Sequence, residues 1–304
     1  HRITGYDINE EKLSNLSRKF KKNKSIKIGF LDIKNKQEVD RHLNDFEVVY
    51  HVAALKHVNI CEYAPNEAIS TNVEGTNNLV NASLKNNIKN FIYASTDKAV
   101  NPTNVMGTSK LLAEKIVIAA NIHSKKCKFS TVRFGNVLGS SGSIIEILKS
   151  QFLKNMDLTI TDEKMTRYVM TISDATNLLA KCSNIMVGGE LFIIKMKALK
   201  IIDLINVFNE ICSKRYKRKK KKIKKIGSFP GEKVYEELMN DEELRRSYDY
   251  KNYIVILPAL KDFFDKQLYK KYSNLKKLDT LYISKNSKLS DRKEITKILS
   301  QINI

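Results

Sequence analysis

Short apolar runs alternate with helix-patterned stretches through the first half of the chain, and this alternation constrains the fold more than any other feature. Apolar runs at 3–6, 26–30, 48–52, 91–95 and 129–134 read as strands, and the stretches 10–20, 66–85 and 108–120 carry helical periodicity. Strands joined through helices pair in parallel rather than as hairpins. The expected fold class is therefore α/β: a doubly wound parallel sheet with helices on both faces and its ligand site beyond the carboxyl ends of the strands.

From about residue 142 the alternation loosens. A helix at 144–154, strands at 158–161 and 191–195, a helix at 201–212 and another opened by Pro230-Gly231 and running through Met239 read as a smaller α+β lobe. The expected division is a sheet domain over 1–141, to which later segments return, a lobe over 142–257, and a lysine-rich, weakly patterned tail over 258–304.

A chain of 304 residues with 42% hydrophobic composition can bury one large core, or one core with a smaller lobe. No apolar run nears the roughly eighteen residues of a membrane-spanning helix, and the beginning of the chain carries no charged-then-apolar secretion signal. A cytoplasmic location is expected. Cys61, Cys127, Cys182 and Cys212 are widely spaced, which supports neither a zinc site nor a disulfide framework, so buried reduced thiols and no metal are expected.

The net charge of +21 would suit a polyanionic partner. However, ten basic residues and no acid fall in the run Lys214 to Lys225, about half of that excess. The run reads as a solvated, mobile insertion, and Tyr216 alone offers no stacking platform, so no nucleic-acid partner is expected.

A nucleotide-binding sheet of this kind normally opens with a strand and a Gly-x-Gly-x-x-Gly turn, whose bare backbone admits a pyrophosphate to a helix N-terminus. The chain has no such motif. It begins at His1, and its first expected strand ends in Gly5-Tyr6-Asp7. Asp7 stands where an acid at the end of the second strand would hold the adenosine ribose, although an Asp there could equally cap a helix starting near Asn9. The economical reading places a first strand, glycine loop and first helix upstream of His1, and expects poor dinucleotide binding without them. Asp32 and Ile33 follow the next strand, where an Asp can accept from an adenine amino group. In His51-Val52-Ala53-Ala54-Leu55-Lys56-His57, the small Ala53 and Ala54 let backbone pass close to a ligand, and Lys56 and His57 are placed to meet a phosphate or sugar. Ordinary close packing would explain the alanines as well.

The cluster richest in chemistry comes after the run at 91–95: Ser95-Thr96-Asp97-Lys98-Ala99, then Met106-Gly107-Thr108-Ser109-Lys110. Together with Asn72-Val73-Glu74-Gly75-Thr76, Arg133-Phe134-Gly135-Asn136, Met165-Thr166-Arg167-Tyr168 and Pro230-Gly231-Glu232-Lys233, it resembles the extended short-chain dehydrogenase/reductases of nucleotide-sugar metabolism. Within them it is most similar to the inverting UDP-N-acetylglucosamine 4,6-dehydratases and their polysaccharide-biosynthesis relatives. The ordered set spans residues 3 to 257, which makes chance agreement a poor account of it.

The resemblance implies a Rossmann-like domain binding NAD or NADP, a lobe binding a UDP-sugar, and a homo-oligomer. It also implies membrane attachment only if a region upstream of His1 exists, which would put the protein at the inner face of the membrane. Hydride would leave C4 of the sugar, water would be lost across C5 and C6, and hydride would return to C6. By likeness Asp97 is the acid at C6, Lys98 the base at C5 and Thr96 the partner of the C4 hydroxyl. For this the adjacent Asp97 and Lys98 must not neutralise each other as an ion pair. Most of the superfamily has a tyrosine base where this chain has Met106, whose thioether takes no proton; this points to the branch that relies on the Thr-Asp-Lys cluster. Lys110 would bind the nicotinamide ribose. The cofactor set is completed by Asp7, Asp32, Ile33, Ala53, Ala54, Lys56 and Asn72, and the substrate set by Lys56, His57, Asn136, Arg167 and Glu232. Phe229 and Ser141 replace two arginines usual in the family, removing phosphate-matching donors. A UDP-sugar 4- or 5-epimerase on the same fold, or an inactive fragment serving as a binding scaffold, are the other readings the residues leave open.

Overall fold

The computed structural model describes residues 2–124, 126–140, 142–229, 231–259 and 269–302. Ser141 and Pro230 lie outside them. The first half runs β1 (Ile3–Asp7), α1 (Glu10–Phe20), β2 (Ile26–Phe30), α2 (Lys36–His42), β3 (Val48–His51), α3 (Val58–Tyr63), α4 (Pro65–Ala68), α5 (Gly75–Lys85), β4 (Asn90–Thr96), α6 (Val105–His123) and β5 (Lys128–Phe134). The second half adds β6 (Asn136–Val137), α7 (Ile144–Leu153), β7 (Leu158–Ile160), β8 (Thr166–Met170), α8 (Ile172–Ile185), β9 (Leu191–Ile194), β10 (Ala198–Lys200) and α9 (Ile201–Arg215). It closes with β11 (Ile223–Lys225), α10 (Asp241–Leu244), β12 (Ser247–Tyr250), β13 (Tyr253–Ile256), α11 (Lys270–Ser273) and α12 (Arg292–Ser300).

Six strands form the central sheet in the order β12-β13-β9-β5-β4-β3, with β3, β4, β5 and β9 parallel. The two-residue period of a strand explains why β4 reads as continuously apolar. Phe91 and Tyr93 point into a core shared with α5 and α6, while Ile92 and Ala94 point into one shared with α8. Helices therefore cover both faces, as the alternation predicted. β1 and β2 form a separate parallel pair, and among the described residues no hydrogen-bonded ladder joins β1 to β3. The single continuous sheet expected from sequence is in this respect two pieces. A third core, built from α7, β7, α9 and α12, belongs to the smaller lobe.

One buried ionic cluster ties a sheet strand to later segments. Arg133 on β5 donates through Nε and Nη2 to Glu114 on α6 (2.8 and 2.7 Å) and through Nη1 and Nη2 to Glu243 on α10 (2.7 and 2.9 Å). Its remaining N–H reaches the Leu238 carbonyl at 3.1 Å, so all five donors are used.

Four expectations need correction. The helix predicted over 66–85 is broken by a π-helical stretch, Ile69–Glu74, between α4 and α5. Residues 231–239 form no helix: Gly231 takes φ +75, and the next residues pair outward, Thr166 N to the Val234 carbonyl (3.0 Å), Ser284 N to the Glu236 carbonyl (2.8 Å) and Leu238 N to the Tyr282 carbonyl (3.1 Å). The spacing of Val234 and Leu238 imitates a helix, but tertiary pairing decides. The basic run is not a mobile insertion. It closes α9, is clamped at Lys221 by both ends of the Asn209 amide (2.8 and 3.0 Å) and enters β11, which pairs in parallel with β7. The weakly patterned end of the chain is packed: Tyr272 accepts no solvent and Ile295 and Leu299 fill the lobe core. All four cysteines are buried free thiols, as expected. No helix among the described residues is long and apolar enough to cross a membrane.

Candidate active site

β4 ends at Thr96, and residues 97–99 turn through one 3-10 turn. α6 starts behind that turn, its first N–H groups capped by Asn104 and Glu62. At Gly107 a Cβ would lie 2.1 Å from the Lys98 carbonyl oxygen, so only glycine lets the helix come this close. One helical turn later, Lys110 reaches back to the end of β4 and donates to the Ala94 carbonyl (2.7 Å), its ammonium 4.1 Å from the centre of the Tyr93 ring. The two halves of the 95–110 cluster thus meet, as the sequence predicted, at one strand end.

A cleft of about 270 Å³ opens there, walled by Asp97, Lys98, Asn136, Arg167, Glu232 and Glu236 among others. Thr96 Oγ1 donates to Asp97 Oδ1 (2.7 Å), and Lys98 Nζ donates to both Asp97 oxygens (3.1 and 3.2 Å). The ion pair that the expected chemistry had to avoid is therefore present. Burial disfavours the Asp97 carboxylate, but the Lys98 charge and hydrogen bonds from Glu236, Thr96 and Lys98 outweigh it and hold the group below its usual range. Burial likewise works against the Lys98 ammonium, and Asp97 and Glu236 outweigh it, raising its pKa.

Glu236 was not among the predicted site residues. It is 4% exposed, accepts from Asn136 Nδ2 (2.6 Å) and Tyr168 N (3.1 Å), and lies 3.3 Å from Arg167 Nε and 3.7 Å from Lys98 Nζ. Burial and the neighbouring Asp97 charge push its carboxyl up to about 8, against the pull of Lys98 and Arg167. The sequence offered one signal, an acid within the segment opened by Pro230-Gly231, but the helical reading pointed it elsewhere.

Other predicted residues divide. Asn136 and Glu232 wall the cleft, Glu232 accepting from Thr161 Oγ1 (3.2 Å) and from Phe229 N (3.2 Å) instead of opening a helix. Arg167 also walls it, yet its guanidinium is committed to protein: Nη1 to the carbonyls of Thr166 (3.0 Å) and Val234 (3.1 Å), Nη2 to that of Lys233 (2.7 Å). Its role is to pin the 233–236 segment rather than to present a free phosphate fork. Met106 is turned into an apolar cluster with Cys61 and Ala68. Both amide hydrogens of Asn72 are used, on Leu55 O (3.0 Å) and Ser109 Oγ (2.9 Å), and its oxygen accepts from Leu55 N (2.8 Å). Asn72 therefore shapes the 53–57 loop instead of offering a donor to a ligand. Lys56 Nζ donates to Ser140 Oγ (3.5 Å), and burial lowers its pKa. His57 is exposed on the same loop, as is Ala53, with Ala54 half-buried. Asp7 is exposed and accepts from Asn9 N (2.9 Å), while Asn9 itself caps α1. Asp32 accepts from Lys34 N (2.9 Å), and Ile33 is buried in the sheet core, which leaves it only backbone to offer.

A family profile described as "Polysaccharide biosynthesis protein" matches residues 1–258. The chain belongs to that family. A relative at 42% identity over 301 residues, 98% of this chain and 87% of its own length, is an uncharacterized membrane protein of Methanocaldococcus jannaschii. An inverting UDP-N-acetylglucosamine 4,6-dehydratase of Campylobacter jejuni is 36% identical over 238 residues, 77% of this chain and 68% of that one. A UDP-glucose 4-epimerase of Rickettsia bellii is 36% identical over 288 residues, 92% and 82% of the two chains. Among solved structures, Pen from Bacillus thuringiensis superposes with a TM-score of 0.91 at 33% identity, covering 100% of this chain and 90% of that one. Family membership thus bears out the resemblance read from the motifs, and the relatives named here with an activity are a nucleotide-sugar dehydratase and a nucleotide-sugar epimerase.

Proposed function

We propose that the chain carries the catalytic centre of a UDP-N-acetylhexosamine 4,6-dehydratase that inverts C5. The observation that carries this reading is the hydrogen-bonded chain Thr96–Asp97–Lys98 opening into one cleft, with the thioether of Met106 turned away from it. A 4-epimerase needs a single proton acceptor at the C4 hydroxyl. Elimination needs three separate proton sites, at the C4 hydroxyl, C5 and the C6 hydroxyl, and the cluster supplies a group for each.

In this reading the Asp97 carboxylate is the correct starting state. The C4 hydroxyl gives its proton to Thr96 Oγ1, which passes its own to Asp97 Oδ1 along the 2.7 Å hydrogen bond. Asp97, now neutral, no longer holds Lys98 as ammonium; Lys98, whose side chain is 33% exposed, gives its extra proton to solvent in the cleft, and the amine so formed takes the C5 proton. Asp97 gives its proton to the C6 hydroxyl as the C6–O bond breaks and water departs, and C5 regains a proton from solvent on its opposite face when hydride returns to C6, which inverts it. A nicotinamide dinucleotide, when bound, supplies hydride acceptance at C4 and its return at C6. The residues present fit its nicotinamide end: Ser95 Oγ is buried with no hydrogen-bond partner among the described residues, and burial brings Lys110 down to about 7. Ser95 and Lys110 would hold the ribose there, and Ala53 and Ala54 would give close backbone approach. A glycine-rich cradle for the pyrophosphate is not among the 304 residues.

Incubation with cofactor and UDP-N-acetylglucosamine, with product mass as readout, tests the reading. Loss of one water is expected, and Asp97→Asn and Lys98→Ala should each abolish it. An isomer of unchanged mass would establish an epimerase instead, and water loss that survives both substitutions would refute the mechanism.

A further inference from the structure

Lys98 faces two carboxyl groups, and only one of them belongs to the cluster at the end of β4. Once Asp97 has taken a proton, the charge on Glu236 alone decides whether Lys98 remains an ammonium. We propose that Glu236 is a positioning residue whose carboxyl stays neutral during turnover, so that Lys98 can shed its proton to the solvent its side chain reaches and act as a base. This rests on the dehydratase reading above and adds to it a group from a different segment of the chain.

The surroundings of Glu236 make this a built arrangement. From the β4 end come Asp97, whose carboxyl shares a hydrogen bond with it, and Lys98 at 3.7 Å. β8 supplies Arg167 at 3.3 Å and the Tyr168 N–H at 3.1 Å, and β6 supplies Asn136 at 2.6 Å. The segment at 283–285 contributes Ser284, which accepts from Glu236 N (2.9 Å), while its Lys285 lies over the Tyr235 ring (4.1 Å) instead. On its own segment, Glu232, Lys233 and Glu237 also wall the cleft. With Asp97 ionised beside it in a buried site, a second negative charge is disfavoured, and a proton on Glu236 resolves the repulsion while donating to Asp97. When Asp97 is in turn protonated, Lys98 is left near Arg167 with no anion in reach, an environment that favours the amine. Ionised Glu236 would restore an anion 3.7 Å from Lys98 and lock its proton in place.

The experiment follows the rate of water loss against pH in the wild type and in Glu236→Gln, whose carboxamide imitates the neutral acid. Wild-type rate should fall above about 8 as Glu236 ionises. The Gln variant should keep the neutral-pH rate within about threefold and lose that fall, since a group that only needs to be neutral is replaced by one that always is. A wild type without the alkaline fall, a fall that persists in the variant, or a folded variant inactive at neutral pH would each overturn the proposal. Carbon-13 NMR titration of the side-chain carboxyls needs no turnover and separates this from failure of the dehydratase reading. One carboxyl should titrate near 8 and vanish in Glu236→Gln; if every carboxyl titrates in the ordinary range, Glu236 is not the neutral group.

Discussion

Replacing Glu114 by Leu should cost about 3 to 5 kcal/mol, because it leaves the buried Arg133 charge without one of its two carboxylate partners. Arg133 is 1% exposed, and Glu114 takes two of its five hydrogen bonds, at 2.8 and 2.7 Å. Charge-assisted bonds of this kind contribute roughly 1.5 to 3 kcal/mol each, and no water reaches the site to replace them. Glu243 keeps its two bonds but cannot approach further, since it also caps α10 through Asn240 N (3.1 Å). The chain contains no tryptophan, so urea unfolding is best followed by far-ultraviolet circular dichroism with tyrosine fluorescence as the second probe. The informative control removes the whole cluster. The triple variant Glu114→Leu, Arg133→Met, Glu243→Leu buries no charge and should recover most of the loss, falling short by about 1 kcal/mol for the missing cap. A single variant that costs under about 1 kcal/mol, or a triple variant no more stable than the single one, would refute the account.

Two further outcomes follow from the site. Lys110 is held at about 7 in the fold against 10.5 when exposed, so between those values the unfolded chain binds more protons and stability rises with pH. Lys110→Met should flatten that part of the stability-against-pH curve in protein measured without cofactor; parallel curves would show that Lys110 is not neutralised by burial. Gly107→Ala places a methyl against the Lys98 carbonyl and should lower stability by about 1 to 3 kcal/mol through forced backbone displacement. Because the displaced group carries Lys98, water loss should fall more steeply than stability, and a variant with normal turnover would show that the close approach is not needed.

The sheet was legible because strands buried on both faces leave an unmistakable apolar run, as at 91–95, and because βαβ spacing admits few topologies. The 95–110 cluster was legible for a related reason: its residues lie close in sequence and the strand end brings them close in space. What sequence concealed lies in segments whose structure is decided from outside. Residues 231–239 have helical spacing but take their hydrogen bonds from Thr166 and the 282–284 stretch, and Glu236 reaches the cleft only because of that pairing. Arg167 reads as a phosphate ligand with its guanidinium seen alone; two of the three carbonyls it donates to come from 66 and 67 residues away. Asn72 was placed near the right loop, but the π-helical turn that aims its amide at Leu55 has no local signature.

The lysine-rich run has a consequence beyond its charge. Among the described residues β11 and β7 make a sheet of two strands; the outer flank of β7 is met by Gln151, whose Oε1 accepts from Thr159 N (3.1 Å), while no strand pairs with the outer flank of β11, the geometry that invites a strand from another molecule. Lys224 and Lys225 stand exposed on β11, directly after the basic stretch clamped at Lys221. A second copy approaching that flank would bring its own lysines against these. The run thus sets like charge against strand pairing between copies of the chain at this flank.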